Sequence, residues 1–553
     1  MFSFHSGGVS TVKRLPVNAC DDPRLVDGNL AGACDGVSKP QKWMKTTRGG
    51  YVSAQRNLSD SYFREPADYR WSPEETGTMS DAGSCRLRLL VVIANYGTAN
   101  DKYLSRLIDE YRSMPYTTDI VVLSNVPKDL GRDVQVVVGL PSKDPHSLPF
   151  GHKQVFANRI NNYDLFIYTE DDILITQRNV EAFLRVAAVL SDNELAGFLR
   201  FENDKDGKVF YPDVHWTYHW EARSGRSRAG HTFAFLSNEH AGCFMLTRQQ
   251  LQRAIQSGGF LVGPHQGKHT MLETAATDPY TQCGFTKLIC ISHLKDFIVH
   301  HLPNKYIGKM GLDAVQFEYQ IRALLKIAAE GDTPSPLLDT HPEFKASHFG
   351  KNYYEPTRTD FVSLIPASAR SVLSIGCGCG ATEETLAHSG KRVVAIPLDP
   401  VISACAQARG VELVQGDLKI ALARLSGESF DCLLVSNVLH LVQDPSEFLA
   451  SSACLLSDKA VVIAAVPNLL RVPVQWRKLC GAESHRFLGD YTRSGVHFTS
   501  RGTVRKWLRR AGLRVERFAD VLPDRAQAVC RGTLGLMTPF LSSEIVVVAA
   551  RAR

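Results

Sequence analysis

Long apolar runs are missing from this sequence. No stretch approaches the roughly 20 apolar residues of a membrane-spanning helix, which excludes an integral helical membrane protein. Met1 to Thr11 also lack a charged start followed by an apolar segment, so we expect no secretory signal. The sequence therefore predicts a cytoplasmic protein without a transmembrane segment.

Paired cysteines and a strong charge excess are missing too. The 13 cysteines show no C-x-x-C spacing, and Cys243, Cys290 and Cys432 lie inside apolar runs. This pattern favours reduced thiols over a disulfide framework or a zinc site. The formal net charge of +6 is small for 553 residues and the basic residues are scattered. We therefore expect no nucleic-acid partner.

The chain is too long for one hydrophobic core, so two or three domains are expected. Residues 1–84 are rich in Gly, Ser, Asp, Arg and Pro with little periodicity, which predicts a poorly ordered extension. A Gly- and Pro-containing polar stretch at 331–351 is the best candidate linker. It separates a first domain at 85–330 from a second domain at 352–553.

An acidic triplet interrupts the apolar run Phe166–Ile175. Glu170, Asp171 and Asp172 are costly to bury, and adjacent carboxylates repel each other. A hard divalent cation at a strand end, completed by a diphosphate, would compensate that cost. The alternative is a solvated acidic turn that caps the following helix.

Strands alternate with helices around this triplet. The predicted elements are strands at Leu87–Ala94, Asp119–Leu123 and Val134–Val138, a helix capped by Asp101, and a helix at His152–Asn161. This alternation predicts an α/β fold with a mainly parallel sheet, whose ligands lie beyond the carboxyl ends of the strands. Glu170 to Asp172 follow such an end.

The order of these elements, together with Tyr168-Thr169-Glu170-Asp171-Asp172, resembles a GT-A-type glycosyltransferase over roughly Arg86 to Ala329. The resemblance implies that Glu170 and Asp172 match the two acids of the D-x-D motif, the first being Glu here. It further implies a divalent metal (Mn²⁺ or Mg²⁺), a nucleotide-sugar donor and a late metal-binding histidine, for which His300 and His301 are the candidates.

Two further groups fit such a site. An inverting enzyme needs a carboxylate base near the acceptor hydroxyl, and Glu273 and Asp278 are the nearest options. A retaining enzyme would not need this base.

A cluster of aromatic residues and arginines follows in the sequence. Aromatic faces can stack on sugars and guanidinium groups can pair with phosphates. A folded aromatic loop with solvated arginines is the alternative explanation of this cluster. The residues of this cluster are Tyr211, His215, Trp216, Tyr218, His219, Trp220, Arg223, Arg226 and Arg228.

The second domain shows a strand, a glycine-rich turn and a helix in succession. Ser371–Ile375 is followed by Gly376-Cys377-Gly378-Cys379-Gly380 and by the helix-like segment Ala381–His388. Alternate glycines let the backbone pass close to a ligand, and the helix start offers free N–H groups. Further strands are predicted at Arg392–Ile396, Val411–Val414, Asp431–Ser436 and Ala460–Val466, and a helix-like lead at Tyr354–Leu364.

This series of elements resembles a class I S-adenosylmethionine-dependent methyltransferase over roughly Asn352 to Arg553. The resemblance implies a seven-stranded Rossmann-like sheet that binds S-adenosylmethionine. The residues it implies for the cofactor are Gly376, Gly378 and Gly380 at the methionine part and Asp417 at the adenine. His440 is the candidate base toward a sugar hydroxyl, or else packs at a strand end.

Two departures from that family's pattern concern its acids. Ser374 replaces the acid before the glycine turn, and Pro397 replaces the acid at the end of the second strand. Asp399 or Glu383 are the candidates to substitute for them, and without a substitute the cofactor site would be weak or inactive. A dinucleotide-binding fold needs an acid where Pro397 stands, which disfavours that rival.

Together these patterns predict a bifunctional transferase of glycan or polysaccharide biosynthesis with two Rossmann-like α/β domains. It would transfer a sugar and a methyl group to a glycan or lipid-linked acceptor, with peripheral association with glycan-assembly machinery. One alternative is a methyltransferase with a GT-A-like module that only binds glycan or nucleotide. Another is a non-catalytic scaffold of a polysaccharide assembly complex.

Overall fold

The computed structural model describes residues 86–338, 349–482 and 485–552. The predicted extension at 1–84 and most of the C-terminal part of the predicted linker lie outside these residues. The boundaries of the predicted domains therefore stay predictions. Within the described ranges, no helix combines the length and the apolar composition that crossing a membrane requires.

The N-terminal half contains fourteen of the described strands and six of the described α-helices. The strands are β1 Arg88–Asn95, β2 Thr117–Ser124, β3 Val134–Val138, β4 Leu165–Glu170, β5 Ile173–Leu174, β6 Glu194–Ala196, β7 Leu199–Asn203, β8 Val209–Tyr211, β9 Arg226–Arg228, β10 His231–Ala234, β11 Cys243–Thr247, β12 Thr286–Cys290, β13 Ile298–His301 and β14 Leu312–Asp313. The helices are α1 Asp101–Ser113, α2 Gly151–Asn158, α3 Gln177–Ala187, α4 Arg248–Gln256, α5 Met271–Thr281 and α6 Ala314–Glu330.

The largest sheet of this half has the strand order β11-β4-β1-β2-β3. Strands β1 to β4 run parallel and β11 runs antiparallel along β4. The apolar residues of β1 and β4 are buried on both faces of the sheet, as expected for central strands covered by helices. The predicted α/β class with a mainly parallel sheet is confirmed for this part.

Two smaller sheets extend the N-terminal half, with the orders β6-β12-β10-β9 and β14-β8-β7-β13-β5. Strand β13 pairs antiparallel with β5, so that His301 lies opposite Ile173. Because β5 begins directly after Asp172, this pairing brings a late histidine to the acidic triplet. The apolar run at 166–175 is two strands, β4 and β5, separated by a turn at Asp171 and Asp172.

The C-terminal half forms one sheet flanked by helices. Its strands are β15 Ser371–Cys377, β16 Arg392–Pro397, β17 Glu412–Leu413, β18 Phe430–Ser436, β19 Leu456–Pro467, β20 Leu513–Phe518 and β21 Glu544–Arg551. The described helices are α7 Thr359–Leu364, α8 Ala381–His388, α9 Ala404–Ala408, α10 Leu418–Arg424, α11 Pro445–Ala453, α12 Val472–Leu479, α13 Tyr491–Ser494, α14 Arg501–Arg510, α15 Asp524–Gly532 and α16 Thr538–Leu541.

This sheet has seven strands in the order β17-β16-β15-β18-β19-β21-β20, and β21 is antiparallel to both of its neighbours. The predicted seven-stranded sheet is confirmed. The predicted start of helix α7 at Tyr354 is wrong, since the helix begins at Thr359. Pro356 disfavours helical backbone at the residue before it, which explains the later start.

The segment after the predicted linker contacts both halves. The backbone N–H of Tyr353 donates to the carbonyl of Trp216 at 2.7 Å, and its ring stacks on His219 with 4.0 Å between ring centroids. The carbonyl of Tyr353 accepts a hydrogen bond from Cys379 N–H of the C-terminal half at 2.9 Å. Within the predicted linker, Leu337 N–H donates to the carbonyl of Leu398 at 3.0 Å. Residues near both ends of the predicted linker therefore contact the C-terminal half.

Candidate functional site

The acidic triplet lies at the carboxyl end of β4, and its three members have different surroundings. Asp171 accepts hydrogen bonds from the amides of Asn95 at 2.6 Å and Asn100 at 2.7 Å. It therefore holds the turn in place, and burial raises its pKa to about 6. Glu170 Oε1 is buried without a hydrogen-bond partner. Burial and the neighbouring Asp172 raise the pKa of Glu170 to about 8.

His301 links this acidic cluster to a second carboxylate. Its Nε2 lies 3.4 Å from Asp172 Oδ2, and its Nδ1 lies 2.5 Å from Glu202 Oε1. Burial lowers the pKa of His301, but these hydrogen bonds outweigh it and raise the pKa above its ordinary value. The Glu202 carboxylate thereby fixes the tautomer and orientation of the His301 ring, as second carboxylates do for the histidines of metal sites in general.

His300 occupies a different environment from its neighbour. It stacks on Phe201 with 4.8 Å between ring centroids, and its Nε2 lies 3.1 Å from the side-chain oxygen of Asn304. Successive residues of a strand point to opposite faces, so only one of the two histidines can face Asp172. The structure brings His301, and not His300, to the acidic triplet.

A buried cation lies beside this cluster. Arg200 pairs with Asp213 at 2.6 Å, and its charge partly offsets the rise in the pKa of Glu170. Arg200, Asp213 and Glu202 were not predicted from the sequence. Strand β7 carries Arg200 and Glu202 at alternate positions on one face, and this period-two spacing of charges in a strand was the available signal.

The two candidate bases lie in different places. Glu273 caps α5 through Thr270 and lies close enough to Glu170 to raise its pKa. Asp278 is fully buried, and it accepts a short hydrogen bond from Lys153. The structure therefore places Glu273 near the acidic triplet and Asp278 in a buried ion pair.

The arginines near the aromatic cluster are only partly available for a ligand. Arg226 pairs with Glu194 at 3.0 Å, and Arg228 forms a second pair with the same carboxylate. Trp220 is buried in the core, whereas Trp216 is exposed. Tyr218 Oη lies 3.4 Å from His269 Nδ1. The charge of this segment is thus used largely within the protein.

The second candidate site is the glycine turn at the end of the central strand β15. Gly376 and Gly380 have φ angles of +84° and +83°, which L residues with side chains rarely adopt. A Cβ on Gly378 would lie 2.0 Å from the carbonyl oxygen of Tyr353. That carbonyl accepts a hydrogen bond from Cys379 N–H at 2.9 Å. Only glycine fits at 378, because the backbone at Tyr353 packs directly on the turn.

The Glu383 carboxylate lies next to Ser374, the position at which the methyltransferase pattern has an acid. The Ser374 hydroxyl donates to Glu383 Oε1 at 2.6 Å, and both side chains are buried. Burial raises the pKa of Glu383 in spite of that hydrogen bond. One carboxylate therefore lies beneath the glycine turn, supplied by helix α8 instead of strand β15.

Charged side chains from the covering segment converge on the same place. Lys351 donates to Glu355 at 2.6 Å and to the carbonyl of Ser436 at 2.7 Å. Arg358 pairs with Glu355 at 3.1 Å and with Glu544 at 2.8 Å. Lys351, Glu355 and Arg358 line a cavity of about 20 Å³ together with the glycine turn. That volume holds about one water molecule.

The remaining cofactor and base candidates have structural partners. Asp399 accepts hydrogen bonds from the N–H groups of Val401 and Ile402, each at 2.8 Å, and Asp417 caps helix α10. His440 is fully buried, and its Nε2 lies 2.7 Å from the carbonyl oxygen of Phe349. Burial lowers its pKa to about 4. His440 is thus a packed strand-end residue in this arrangement.

Comparison with known proteins concerns this C-terminal sheet. The family model described as "Methyltransferase domain" matches residues 373–464. The ubiquinone biosynthesis O-methyltransferase of Xanthomonas axonopodis pv. citri (strain 306) is 33% identical over 176 residues, covering 30% of this chain and 72% of that protein. This chain belongs to the methyltransferase family. The expected methyltransferase domain is therefore confirmed.

Other relatives of this methyltransferase agree. The ubiquinone biosynthesis O-methyltransferase of Xylella fastidiosa (strain M23) is 30% identical over 253 residues, which cover 44% of this chain and 98% of that protein. A solved S-adenosylmethionine-dependent methyltransferase from Mesorhizobium loti is 20% identical and covers 35% of this chain and 96% of that chain, with a TM-score of 0.26.

Proposed function

We propose that the C-terminal half of this methyltransferase binds S-adenosylmethionine at the glycine turn and transfers its methyl group to a hydroxyl oxygen. The observation that carries the proposal is the turn at 376–380, at the carboxyl end of the central strand of a family-matched sheet. The curated relatives are named as O-methyltransferases, which favours a hydroxyl acceptor.

The residues at the turn have the chemical properties that binding of S-adenosylmethionine requires. Gly376 and Gly380 keep the backbone free of side chains, and the buried Glu383 supplies a carboxylate for the amino group of the methionine part. Asp399 and Asp417 follow strands β16 and β17, where the ribose and adenine would lie by the family resemblance.

The chain before the second domain packs on the turn. Lys351 lines the cavity there, and the carbonyl oxygen of Tyr353 accepts from Cys379 N–H within the turn. We infer that binding displaces the segment around these two residues, so the affinity is lowered by the free energy of displacing it.

The bound cofactor supplies a methyl group on a positively charged sulfur, which is reactive toward an oxygen nucleophile. The protein contributes by holding the acceptor in line with that group and by excluding water. In this arrangement His440 is tied to a backbone carbonyl, so the acceptor's proton leaves through another group or through solvent. Lys351 and Glu355 form an ion pair that lines the cavity at the turn.

Calorimetric titration of the purified chain with S-adenosylmethionine tests this proposal. We expect saturable binding that Gly378→Val abolishes, since a side chain at this position fills the space in which the backbone of the turn would approach the cofactor. Gly532→Val in α15, where an added Cβ meets nothing within 4 Å, is the matched control. Absence of binding at millimolar cofactor, with the sheet intact by circular dichroism, would overturn the proposal.

A second function is favoured by the acidic triplet. We propose that Glu170, Asp172 and His301 hold a divalent cation that carries the diphosphate of a nucleotide-sugar, as in a GT-A-type glycosyltransferase. The supporting observation is a buried carboxylate oxygen without a partner beside a histidine oriented by Glu202. The cation would neutralise charge on the diphosphate leaving group. The product of the two activities would be a glycan that has received first a sugar and then a methyl group.

Thermal shift with Mn²⁺ and a panel of nucleoside diphosphates tests the second function. We expect stabilisation by Mn²⁺ that increases with one of the diphosphates and is lost in Asp172→Asn. Asp192→Asn, at an exposed acid, is the control and keeps the response. An unchanged response in Asp172→Asn would refute the site. Stabilisation without release of nucleoside diphosphate from any nucleotide-sugar, with or without acceptor, would indicate a module that only binds.

A further inference from the structure

Three potential metal ligands converge where strand β10 begins and strand β12 ends. His231 Nδ1 lies 3.3 Å from His293 Nδ1, and the Cys290 Sγ lies 3.8 Å from the first and 3.9 Å from the second. Among the residues that the structure describes, they are the one group of three His, Cys or carboxylate ligands whose donor atoms all lie within 4.8 Å of one another.

These distances match the geometry of tetrahedral zinc. With Zn–N of about 2.05 Å and Zn–S of about 2.3 Å, tetrahedral angles place two nitrogens about 3.3 Å apart and sulfur and nitrogen about 3.6 Å apart. The observed separations are 3.3, 3.8 and 3.9 Å. A single ion could therefore bind all three with shifts of a few tenths of an ångström.

The fold explains why these side chains meet. In the antiparallel pairing of β10 with β12, Phe233 lies opposite Cys290, so the start of β10 runs beside the turn that follows β12. The N–H of Thr232 donates to Ser292 Oγ at 3.0 Å and holds that turn against the strand. His293, in the same turn, has φ −127° and ψ 42°, which breaks the helical geometry and directs its ring toward His231.

Hydrogen bonding alone explains this cluster less well. The hydroxyl of Ser292 lies 3.0 Å from His293 Nδ1 and 3.6 Å from Cys290 Sγ, so a small polar network is present. Yet a proton between the facing Nδ1 atoms of His231 and His293 joins those two atoms only and leaves Cys290 Sγ 3.8 and 3.9 Å away from them. A cation between the two nitrogens and the thiolate satisfies all three atoms at once.

We propose that His231, Cys290 and His293 bind one zinc ion, whose fourth ligand is a water on the exposed side of His293. Binding removes the proton of the Cys290 thiol to solvent and forms one Zn–S and two Zn–N bonds. The ion would fasten the turn after β12 to the start of strand β10. Arg185 lies nearby, but Asp296 pairs with it at 3.3 Å and offsets its charge. The site is separate from both functions proposed above.

Metal analysis of the full chain tests this site. The protein is purified under reducing conditions, exposed to Zn²⁺ and desalted, and bound zinc is measured by mass spectrometry. We expect stoichiometric zinc in the wild type and its loss in Cys290→Ser and His231→Gln. Cys283→Ser is the matched control because Cys283 is also a buried free thiol, and it should retain zinc. Asp172→Asn should retain it too, which separates this site from the acidic triplet.

Cobalt substitution supplies a readout that folding defects do not imitate. Co²⁺ bound to a thiolate gives a charge-transfer band in the near ultraviolet together with visible bands of tetrahedral cobalt. We expect both in the wild type. The exposed His293→Gln variant should keep the thiolate band while its visible bands change. Absence of zinc and of the cobalt bands in the folded wild type, or the same bands in a folded Cys290→Ser variant, would overturn the proposal.

Discussion

The carboxylate beneath the glycine turn yields the sharpest prediction. The methyltransferase resemblance places an acid at position 374, where this chain has Ser374, and the structure supplies Glu383 from helix α8 to the same space. If Glu383 replaces the lost acid, the two positions should tolerate one carboxylate but not two. The perturbation is therefore Ser374→Asp, alone and combined with Glu383→Ser.

The expected cost of the second carboxylate follows from the 2.6 Å contact of Ser374 with Glu383. Two like charges about 4 Å apart repel by about 4 kcal/mol at an effective dielectric constant near 20. Protonating one carboxyl of pKa about 4 at pH 7 instead costs about 1.4 kcal/mol per unit, again about 4 kcal/mol. Ser374→Asp should therefore lower the free energy of unfolding of this half by up to that amount, and Glu383→Ser should restore most of it.

Cofactor affinity gives the second readout for the same variants. Glu383→Ser alone should weaken S-adenosylmethionine binding about 10- to 100-fold, because a charge-assisted hydrogen bond contributes about 1.5–3 kcal/mol. The double variant should recover most of that affinity. Glu384→Ser is the matched control, since Glu384 is the next residue of the same helix and pairs with Arg409 at 2.6 Å, away from the turn.

Two assays measure these effects. Hydrogen exchange of residues 371–388 at increasing urea follows the stability of this region in the full chain, and calorimetry follows the cofactor affinity. The reasoning fails if Ser374→Asp is as stable as the wild type. It also fails if Glu383→Ser binds the cofactor as tightly as the wild type while the control does the same.

Three further predictions concern stability and use urea unfolding. Gly378→Ala should cost about 1–3 kcal/mol, since its Cβ would lie 2.0 Å from a carbonyl oxygen, whereas Gly532→Ala should be neutral or slightly stabilising; equal effects would contradict the packing. His440 has a native pKa of about 4 against about 6.5 unfolded, so stability present above about pH 6.5 is lost, by about 3 kcal/mol, as the pH falls to about 4. His440→Gln should flatten that pH dependence, and an unchanged slope would argue against a neutral buried imidazole. Lys153→Met should cost about 3–5 kcal/mol by leaving Asp278 buried and unpaired, and adding Asp278→Asn should recover much of it; no recovery would show that the loss has another cause.

Much of the fold follows from local patterns. Apolar β-branched runs predicted strands β1, β2 and β4 and the first five strands of the C-terminal sheet, β15 to β19, to within a few residues, because a strand covered on both faces needs a continuous apolar run. Strands β20 and β21 were not predicted individually. The glycine turn and helix α8 were likewise predicted in place, since the turn requires glycine where φ is positive.

Contacts between residues far apart in the sequence could not be predicted from local patterns. Spacing left His300 and His301 as equal candidates, and the register of β13 against β5 selected His301. The pairing of Lys153 with Asp278 joins residues 125 positions apart, which no local pattern encodes.

The sequence by itself determined the elements, the glycine turn and the chemical types of the candidate residues. The tertiary structure decided which of those residues meet. It placed Glu383 under the turn, Tyr353 over it, and His231 beside Cys290 and His293. The physical reason is that periodicity fixes which face of an element a side chain occupies, whereas strand register and packing between distant segments fix what lies opposite that face.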